Sequence, residues 1–337
     1  MQSRGSSGDA AQRFRYSPNV PVKRTVIIVN PRSSGGAAGK KWSDLADTIA
    51  RVLPFDEAIT NAPGHATELA RQALRSGADQ VIALGGDGTI NETINGFFDD
   101  DGGLLPEAQH AQFGVIPYGT GGDFRRTLGL PHDVASAAKV IADGKVKRCD
   151  VGRLTFTTAG GATEVRMFIN IASFGVSGEV DRMVNQSSKR LGRLSFFVAT
   201  ARATLGYKNQ RVALVFDGNT SAPVEATIST VAIANGQYFG GAMQIAPHAE
   251  IDDGKFDVIC MGDLSFTDLV TSGRRLYKGS HLTMDKVSSR RATTVRAEPI
   301  ESGARIEIDL DGENVGRLPA TFEMVANCVN LLVPSGV

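Results

Sequence analysis

Three glycine-rich segments, each placed directly after a short apolar run, constrain the fold of this chain more than any other feature. They are NPRSSGG (30–36), GGDGT (85–89) and PYGTGGD (117–123). The apolar runs before them, such as TVIIVN (25–30), are typical of buried strands, and segments with helical spacing, such as ATELARQALRSG (66–77), lie between them. Strands alternating with helices of this length predict right-handed βαβ units and a parallel sheet.

A parallel sheet would bring the three glycine-rich loops together, because the carboxyl ends of its strands share one edge. Glycine lets backbone N–H groups approach a ligand closely, and helix N-termini add partial positive charge. Hydroxyl donors are supplied by Ser33, Ser34, Thr89 and Thr120. Each loop alone fits a structural turn, but three on one edge favour a phosphate-binding site, although the chain has no lysine-bearing P-loop motif.

The carboxylate of Asp87 lies in the middle of the second loop. It would repel phosphate unless it holds Mg²⁺ or accepts a proton from a nucleophile. The stretch TINETINGFF (89–98) that follows predicts a helix with Thr89 at its N-cap. A dinucleotide-binding fold would place G-x-G-x-x-G after its first strand, and the lack of that motif there disfavours a dehydrogenase.

After about residue 148 the pattern changes to β-branched and aromatic residues at period two, as in RVALVFDG (211–218) and RIEIDLDG (305–312). This predicts a mostly antiparallel β domain with helical insertions at roughly 179–206 and 265–279. The predicted fold class is therefore an α/β N-terminal domain with a parallel sheet, followed by a mostly antiparallel β-sandwich. The expected division is a disordered leader (1–23), a phosphate-binding domain (24–148) and a β-rich domain (149–337), whose last strand is free to pack back on the first domain.

Composition argues against several classes of function. The chain has 337 residues, and its 36 basic residues balance 36 acidic residues, so net charge gives no global attraction to nucleic acid. Cys149, Cys260 and Cys328 lack the spacing of a metal site and are expected to be reduced. No apolar run is long enough to span a membrane, and the N-terminus has no apolar core for a secretory signal. A cytoplasmic protein is expected, with a transit peptide as the open alternative.

Together these segments resemble the diacylglycerol kinase catalytic-domain family of lipid kinases, which includes bacterial diacylglycerol kinases, YegS-like lipid kinases, and sphingosine and ceramide kinases. VNPRSSGG, GGDGTINETINGF and IPYGTGGDFRRTLGLP are similar to its first three motifs, with Gly122 where asparagine is usual. Further segments follow in the family's order: CDVGR (149–153), FINIASFGVSGEV (168–180), ANGQYFGGAMQIAPHAEIDDGKFDV (234–258) and DLDGE (309–313).

The resemblance implies a kinase related to the NAD kinases in fold that transfers a phosphoryl group from ATP, with Mg²⁺, to a lipid hydroxyl. Diacylglycerol is the first expected acceptor, with a sphingoid base or a related lipid as the alternative. The nucleotide-binding residues implied are Asn30, Arg32, Ser33, Ser34, Gly35, Thr60, Gly86, Asp87, Gly88, Thr89, Ile90, Asn91, Glu92 and Thr120.

Three carboxylates are implied in catalysis. Asp87 would act on Mg²⁺ or near the attacking hydroxyl, and Glu313 matches the proton acceptor of the bacterial diacylglycerol kinases. In the sphingosine kinases the aspartate of the GGDG loop is the favoured base, so the choice between Asp87 and Glu313 is left open. Asp150 matches a third acidic residue, expected on the facing side of the interdomain cleft.

The resemblance also implies a structural Mg²⁺ in EIDDGKFD (250–257), with ligands from Glu250, Asp253 and the backbone carbonyl of Lys255. A solvated hairpin turn explains the same acidic stretch equally well. The stretches 182–207 and 269–282 mix basic and apolar residues, which suits an anionic membrane surface but also an ordinary amphipathic helix packed on a sheet. A lipid substrate bound at a membrane surface, with transient membrane association, is expected. A homodimer is left open.

Two rival functions fit parts of the sequence. An NAD kinase shares the GGDGT loop, the following Asn-Glu pair and a two-domain architecture, but NPRSSGG, PYGTGGDF and DLDGE fit lipid kinases better. A catalytically silent lipid- or nucleotide-binding protein is disfavoured by the intact Asp87, Asp150 and Glu313.

Overall fold

Four parallel strands form the N-terminal sheet in the computed structural model, which describes residues 23–119, 121–158, 160–178, 207–264 and 266–335. The strands are β1 (Thr25–Val29), β2 (Asp56–Ile59), β3 (Gln80–Gly85) and β4 (Gln112–Pro117), in the spatial order β2-β1-β3-β4. β1 pairs in parallel with β2 and β3, and β3 pairs in parallel with β4. The predicted parallel sheet is confirmed.

Helices cover both faces of this sheet. They are α1 (Ser33–Lys40), α2 (Trp42–Ala50), α3 (His65–Arg75), α4 (Asp87–Asn95), α5 (Asp123–Thr127) and α6 (Val134–Asp143). Successive residues of a strand point to opposite faces. Ile28 of β1 accordingly lies in a core with residues of α3 and α4, whereas Ile27 lies in a core with residues of α2 and α6. Packing on both faces fixes the carboxyl edge of the sheet.

Antiparallel pairing dominates the second half of the chain, as predicted. Its elements are β5 (Lys145–Thr157), β6 (Thr163–Phe168), β7 (Ile171–Gly175), β8 (Gln210–Phe216), β9 (Val224–Ile228), β10 (Thr230–Ala234), β11 (Phe256–Met261), α7 (Phe266–Tyr277), β12 (Val287–Ala292), β13 (Thr294–Pro299), β14 (Glu307–Leu310) and β15 (Glu313–Val333). A separate aromatic core holds this domain, in which Phe168 stacks on Phe256 with ring centroids 5.6 Å apart.

The last strand joins the two halves. β15 pairs with β5 and β14 in antiparallel fashion, and its end pairs in parallel with β4, with Leu331 opposite Phe113. Hydrogen-bonded strands therefore run from β12 at one edge, through β15 and β4, to β2 at the other. This continuity places the start of β15 beside the glycine-rich loops.

Part of the predicted organisation lies outside the described residues. This holds for nearly all of the expected leader 1–23 and for the insertion expected at 179–206. The second insertion, expected at 265–279, corresponds to α7. Across the described ranges, no helix combines the length and apolar character needed to cross a membrane.

Candidate active site

The three glycine-rich loops converge at the carboxyl edge of the parallel sheet. A Cβ atom built on Gly119 would lie 2.4 Å from the Cα atom of Gly86, so the second and third loops approach too closely for any side chain there. The Ser34 hydroxyl lies 3.5 Å from the backbone oxygen of Tyr118, which brings the first loop to the third. Glycine is required at 119 because backbone packs on backbone there, whereas a Cβ atom on Gly86 would lie 3.5 Å from the Gly119 Cα atom, an ordinary contact distance.

Asn30 ties the first loop to the second. Its side-chain nitrogen donates to the Thr89 hydroxyl at 3.0 Å, and its side-chain oxygen accepts from the backbone N–H of Arg32 at 2.9 Å. After Arg32 the chain is left-handed at Ser34, Gly35 and Gly36 and turns sharply before α1 becomes regular. Arg32, Ser34 and Gly35 are exposed at this edge, where a ligand would reach them.

Asp87 begins α4 and its carboxylate caps the N-terminus of α5. It accepts from the backbone N–H groups of Gly122 at 2.9 Å, Asp123 at 3.3 Å and Phe124 at 3.3 Å. Burial, followed by the charge of Asp123, raises the pKa of the Asp87 carboxyl despite these hydrogen bonds. Asp87 is therefore a carboxylate held in place beside Asp123, which pairs with Arg126 at 2.9 Å. A carboxylate at this edge of the sheet could serve as a ligand of a divalent cation bound together with phosphate.

Glu313 is brought to the second loop from the other domain. A Cβ atom built on Gly88 would lie 2.9 Å from Oε1 of Glu313. Glu313 is exposed and begins β15, directly after the two-residue turn Asp311–Gly312, whose φ angles are 49° and 91°. Two successive positive φ values are typical of the tight hairpin turn that the Asp-Gly pair predicts. An accessible carboxylate thus lies over the N-terminal turn of α4.

Asp311 also lies at this junction, and the sequence analysis missed it. Its buried carboxylate accepts from the side-chain nitrogen of Asn91 at 2.9 Å and from the backbone N–H groups of Ile171 at 2.8 Å and Ile169 at 3.3 Å. Burial raises its pKa to about 6, and the charge of Asp87 acts in the same direction. The one available signal was the second aspartate of DLDGE, which the turn explained by itself.

Several predicted nucleotide contacts are engaged in packing. Thr89 lies inside the first turn of α4, with Gly86 at the N-cap, so the prediction of Thr89 as N-cap was wrong. Ile90 is buried in an apolar core, and Asn91 is bonded to Asp311 and Met167. Glu92 Oε2 accepts from the backbone N–H of Ala66 at 3.2 Å, so this carboxylate serves the start of α3.

Thr60 and Thr120 were also predicted to contact the nucleotide. Thr60 lies directly after β2 and is buried, with its backbone N–H donating to Val29. Thr120 lies outside the described residues. Gly86 and Gly88 are partly exposed, so their backbone and the exposed residues of the first loop stay accessible to a ligand.

Asp150 does not face the cleft as the sequence analysis expected. Its side chain is fully buried, and its two carboxylate oxygens accept from the backbone N–H groups of Gly254 at 2.7 Å and Asn327 at 2.6 Å. Burial raises its pKa, and the nearby charge of Asp252 adds to this effect. In the structure Asp150 anchors the loop around Gly254 and the bend of β15 at Asn327.

The predicted second-domain metal ligands lie on that anchored loop. Asp253 forms an ion pair with Arg291 and accepts from the backbone N–H of Lys255 at 3.0 Å, so a cation already balances its charge. Within the described ranges no group of three or more His, Cys, Asp or Glu residues is arranged to hold a metal. The ion pair makes Asp253 a poor ligand, and the site formed by Glu250, Asp253 and Lys255 stays a prediction.

Two family models match successive parts of the chain. The diacylglycerol kinase catalytic domain matches residues 24–154, and the YegS C-terminal NAD kinase beta sandwich-like domain matches residues 170–333. The chain belongs to the diacylglycerol kinase catalytic-domain family. This family member is 29% identical over 323 residues to a diacylglycerol kinase of Bacillus subtilis, with 93% of this chain and 97% of that protein covered.

Other relatives agree with this assignment. A diacylglycerol kinase of Staphylococcus epidermidis is 29% identical over 317 residues, with 94% of this chain and 93% of that protein covered. The fold is similar to the crystal structure of a diacylglycerol kinase from Bacillus anthracis, with a TM-score of 0.68 at 24% identity over 94% of this chain and 99% of that chain. The predicted family and fold class are therefore confirmed.

Proposed function

We propose that this family member is a lipid kinase that transfers the γ-phosphoryl group of ATP to a lipid hydroxyl, with diacylglycerol as the first candidate. The family assignment supports the reaction class, and the names of the relatives support the substrate. The observation that carries the site assignment is the approach of Glu313 to Gly88, which joins an exposed carboxylate from one domain to a phosphate-binding loop of the other.

The geometry suits the demands of phosphoryl transfer, which are alignment and neutralisation of charge on the transferred group. The first loop would hold phosphate through Arg32 and through the hydroxyls of Ser33 and Ser34, and the N-terminal turn of α4 adds its partial positive charge. Mg²⁺ bound with ATP would supply further charge neutralisation beside Asp87.

Glu313 is the better candidate for the proton acceptor. Glu313 is an exposed residue, so the hydroxyl of a substrate can approach it. Both oxygens of Asp87 already accept backbone N–H groups of residues 122–124. We therefore assign proton transfer to Glu313, and to Asp87 the orientation of the third loop and contact with Mg²⁺.

The lipid would be met at a membrane surface. Arg274, Arg275 and Tyr277 of α7 are exposed, and basic side chains beside an aromatic ring suit an anionic interface. Initial rates on diacylglycerol in vesicles with and without an anionic lipid would test this contact. We expect faster turnover on anionic vesicles in wild type, with the difference reduced in Arg274→Ala/Arg275→Ala. An unchanged difference would contradict a role for these arginines.

The reaction class is tested by offering the purified protein labelled ATP and Mg²⁺ with separate acceptors. The acceptors are diacylglycerol, monoacylglycerol, sphingosine, ceramide, phosphatidylglycerol and NAD. We expect label in phosphatidate from diacylglycerol and no label after chelation of Mg²⁺. Label in NADP alone would contradict the lipid kinase proposal and support the NAD kinase rival, and no label in any acceptor would support the silent binding protein.

Asp87 and Asp133 form a matched pair for testing the site. Both carboxylates cap a short helix of the first domain, and Asp133 accepts from the backbone N–H of Ser136 at 2.8 Å. We expect Asp87→Ala to lower kcat by ~10²-fold or more, because a charge beside the phosphates is lost. Asp133→Ala should cost about 1 kcal/mol of stability with an unchanged kcat. Equal kcat values in the two variants would contradict the assignment of Asp87.

A further inference from the structure

The turn that carries Glu313 is bonded to the helix that carries Asp87. Asp311, at the first position of this turn, accepts from Asn91 Nδ2 at 2.9 Å across 220 positions of sequence. Asn91 lies on α4 four residues after Asp87, which is one helical turn and places the two side chains on the same side of the helix. The Asn91–Asp311 hydrogen bond therefore spans the domain boundary directly behind the site.

Further hydrogen bonds restrict the position of Asp311 within its own domain. Its backbone N–H donates to the Ile171 oxygen at 3.0 Å, and its carboxylate accepts from the backbone N–H groups of Ile171 and Ile169. Asn91 is restricted in turn, because the same Nδ2 atom donates to the Met167 oxygen at 3.0 Å. The turn, the start of β7 and α4 thus form one hydrogen-bonded unit.

We propose that Asp311 and Asn91 are positioning residues that hold Glu313 over Gly88 and so set the separation between Glu313 and Asp87. This inference rests on the proposed function for its kinetic consequence. The hydrogen-bonded pair Asn91 and Asp311, here named the clamp, is a structural claim that does not depend on that function. Neither residue needs to touch the substrate. Misplacement of a reacting group by about 1 Å is enough to lower a rate by ~10²-fold.

The chain contains a second Asp-Gly turn with similar positive φ angles that lacks this link. Asp217–Gly218 has φ angles of 51° and 72°, close to those of Asp311–Gly312. The Asp217 carboxylate is exposed and accepts from Thr293 and Thr294 of the same domain. The turn alone therefore does not require a buried carboxylate, which at Asp311 is costly unless hydrogen bonds compensate it. Compensation by Asn91 is what couples this turn to the first domain.

Asn91 also has a matched control on its own helix. Asn95, one turn further along α4, donates to the same Met167 oxygen at 2.9 Å and accepts from the Met167 N–H at 2.9 Å. Asn95 Nδ2 also donates to Asn91 Oδ1 at 3.2 Å, so Asn95→Ala removes this bond together with the contacts between α4 and β6. It keeps both the donor and the acceptor of the bond between Asn91 and Asp311. A comparison of Asn91→Ala with Asn95→Ala separates positioning of Glu313 from general packing of α4.

The kinetic test measures kcat and KM for ATP in Asn91→Ala, Asp311→Asn and the double variant, with Asn95→Ala and Asp217→Asn as controls. We expect each single variant of the clamp to lower kcat by ~10- to 100-fold, with KM for ATP within ~3-fold of wild type. The kcat of the double variant should be no more than ~3-fold below that of the less active single variant, because the two substitutions remove the same interaction. The controls should retain kcat within ~2-fold.

Outcomes of another kind would overturn the clamp. One is a loss of kcat that disappears after correction for the folded fraction of the variant. Another is a double variant in which the two single losses of kcat multiply. The last is a loss of kcat in Asn95→Ala as large as that in Asn91→Ala. If Asp311→Asn does not fold, Asn91→Ala beside Asn95→Ala decides the kinetic question alone.

Hydrogen exchange tests the clamp without any assumption about the reaction. Amides of the peptide that contains Gly312 and Glu313 should exchange ~10-fold faster or more in Asn91→Ala than in wild type, and no faster than wild type in Asn95→Ala. Unchanged exchange in Asn91→Ala would refute the clamp. If wild type phosphorylates no lipid but the exchange result holds, the proposed function fails and the clamp stands.

Discussion

Two Asp-Gly turns in the β-rich domain share a dipeptide sequence and similar positive φ angles but differ in what their carboxylates do. Asp217 and Asp311 are both left-handed, and each is followed by a left-handed glycine. The Asp217 carboxylate is exposed and bonds within its own domain, whereas the Asp311 carboxylate is buried and reaches α4 of the other domain. The dipeptide therefore specifies a turn, and the position of the turn in the sheet specifies whether it contributes to a site.

The same contrast appears in the ionisation of the two carboxyl groups. Burial raises the pKa of Asp217, but hydrogen bonds from Thr293 and Thr294 outweigh burial, and the pKa is lowered from its ordinary value. For Asp311 burial outweighs the hydrogen bonds from Asn91, Ile171 and Ile169, and the pKa rises to about 6. Hydrogen bonding stabilises the charged carboxylate in both turns, and the extent of burial decides whether its pKa rises or falls.

The largest expected loss of kcat comes from a substitution at Gly88, which lies under the Glu313 carboxylate. Gly88→Ala would place a methyl group 2.9 Å from the present position of Glu313 Oε1 and displace that carboxylate. We expect kcat to fall by ~10²-fold, from misplacement of Glu313. Stability should be unchanged or higher by up to about 1 kcal/mol, because alanine favours a helix over glycine. Kinetics and urea unfolding measured on one preparation would check this, and an unchanged kcat would show that Glu313 does not act from this position.

The next largest effect is the pH dependence of stability, which should differ between the two turns. The folded-state pKa of Asp311, about 6, lies above the ordinary 3.8, so its stabilising contribution is present in full below pH 3.8 and lost as pH rises through about 6. The unfolding free energy of wild type minus that of Asp311→Asn should therefore fall by about 2 kcal/mol between about pH 4 and pH 7.

Asp217 is the control for the pH experiment, because its contribution to the unfolding free energy should change with pH in the opposite direction. Its folded-state pKa lies below 3.8, so its contribution is present above that pH and lost as pH falls through the folded value. The difference between wild type and Asp217→Asn should thus decrease toward acid. The same sign for both turns in urea titrations would contradict the contrast.

The smallest effect concerns the glycines of the turns. Gly218 and Gly312 have φ angles of 72° and 91°, and a Cβ atom on either would meet no other atom within 4 Å. Alanine at either position should cost about 1–2 kcal/mol of stability through backbone strain alone. Only Gly312→Ala should also lower kcat, because relaxation of its turn moves Glu313. Equal kcat values in the two variants would remove the link between the turn and the site.

The sequence predicted the parts of the structure that depend on local patterns. Apolar runs such as TVIIVN predicted the parallel strands, and period-two runs such as RVALVFDG predicted the antiparallel domain. The convergence of the glycine-rich loops followed from the shared edge of a parallel sheet. The Asp-Gly pair in DLDGE is a local signal of the same kind, since it favours a tight turn, and the structure has one there with two positive φ values.

Residues whose roles depend on distant partners could not be assigned from the sequence. Asn91 was predicted to contact the nucleotide, but its side chain bonds to Asp311, 220 positions away. Asp150 was expected at the cleft, yet it is paired with the backbone of Gly254 and Asn327. A carboxylate in a motif has the same letter whether it faces a ligand or caps a buried loop, and tertiary contacts alone separate the two.

The central claim is that Glu313, held over Gly88, accepts the proton of the attacking hydroxyl. The most direct test is the single-turnover rate of label transfer from ATP to diacylglycerol in Glu313→Gln, with the Kd for ATP measured on the same protein. We expect an unchanged Kd and a transfer rate lowered by ~10²- to 10⁴-fold, as for loss of a general base. A transfer rate equal to that of wild type would contradict the claim.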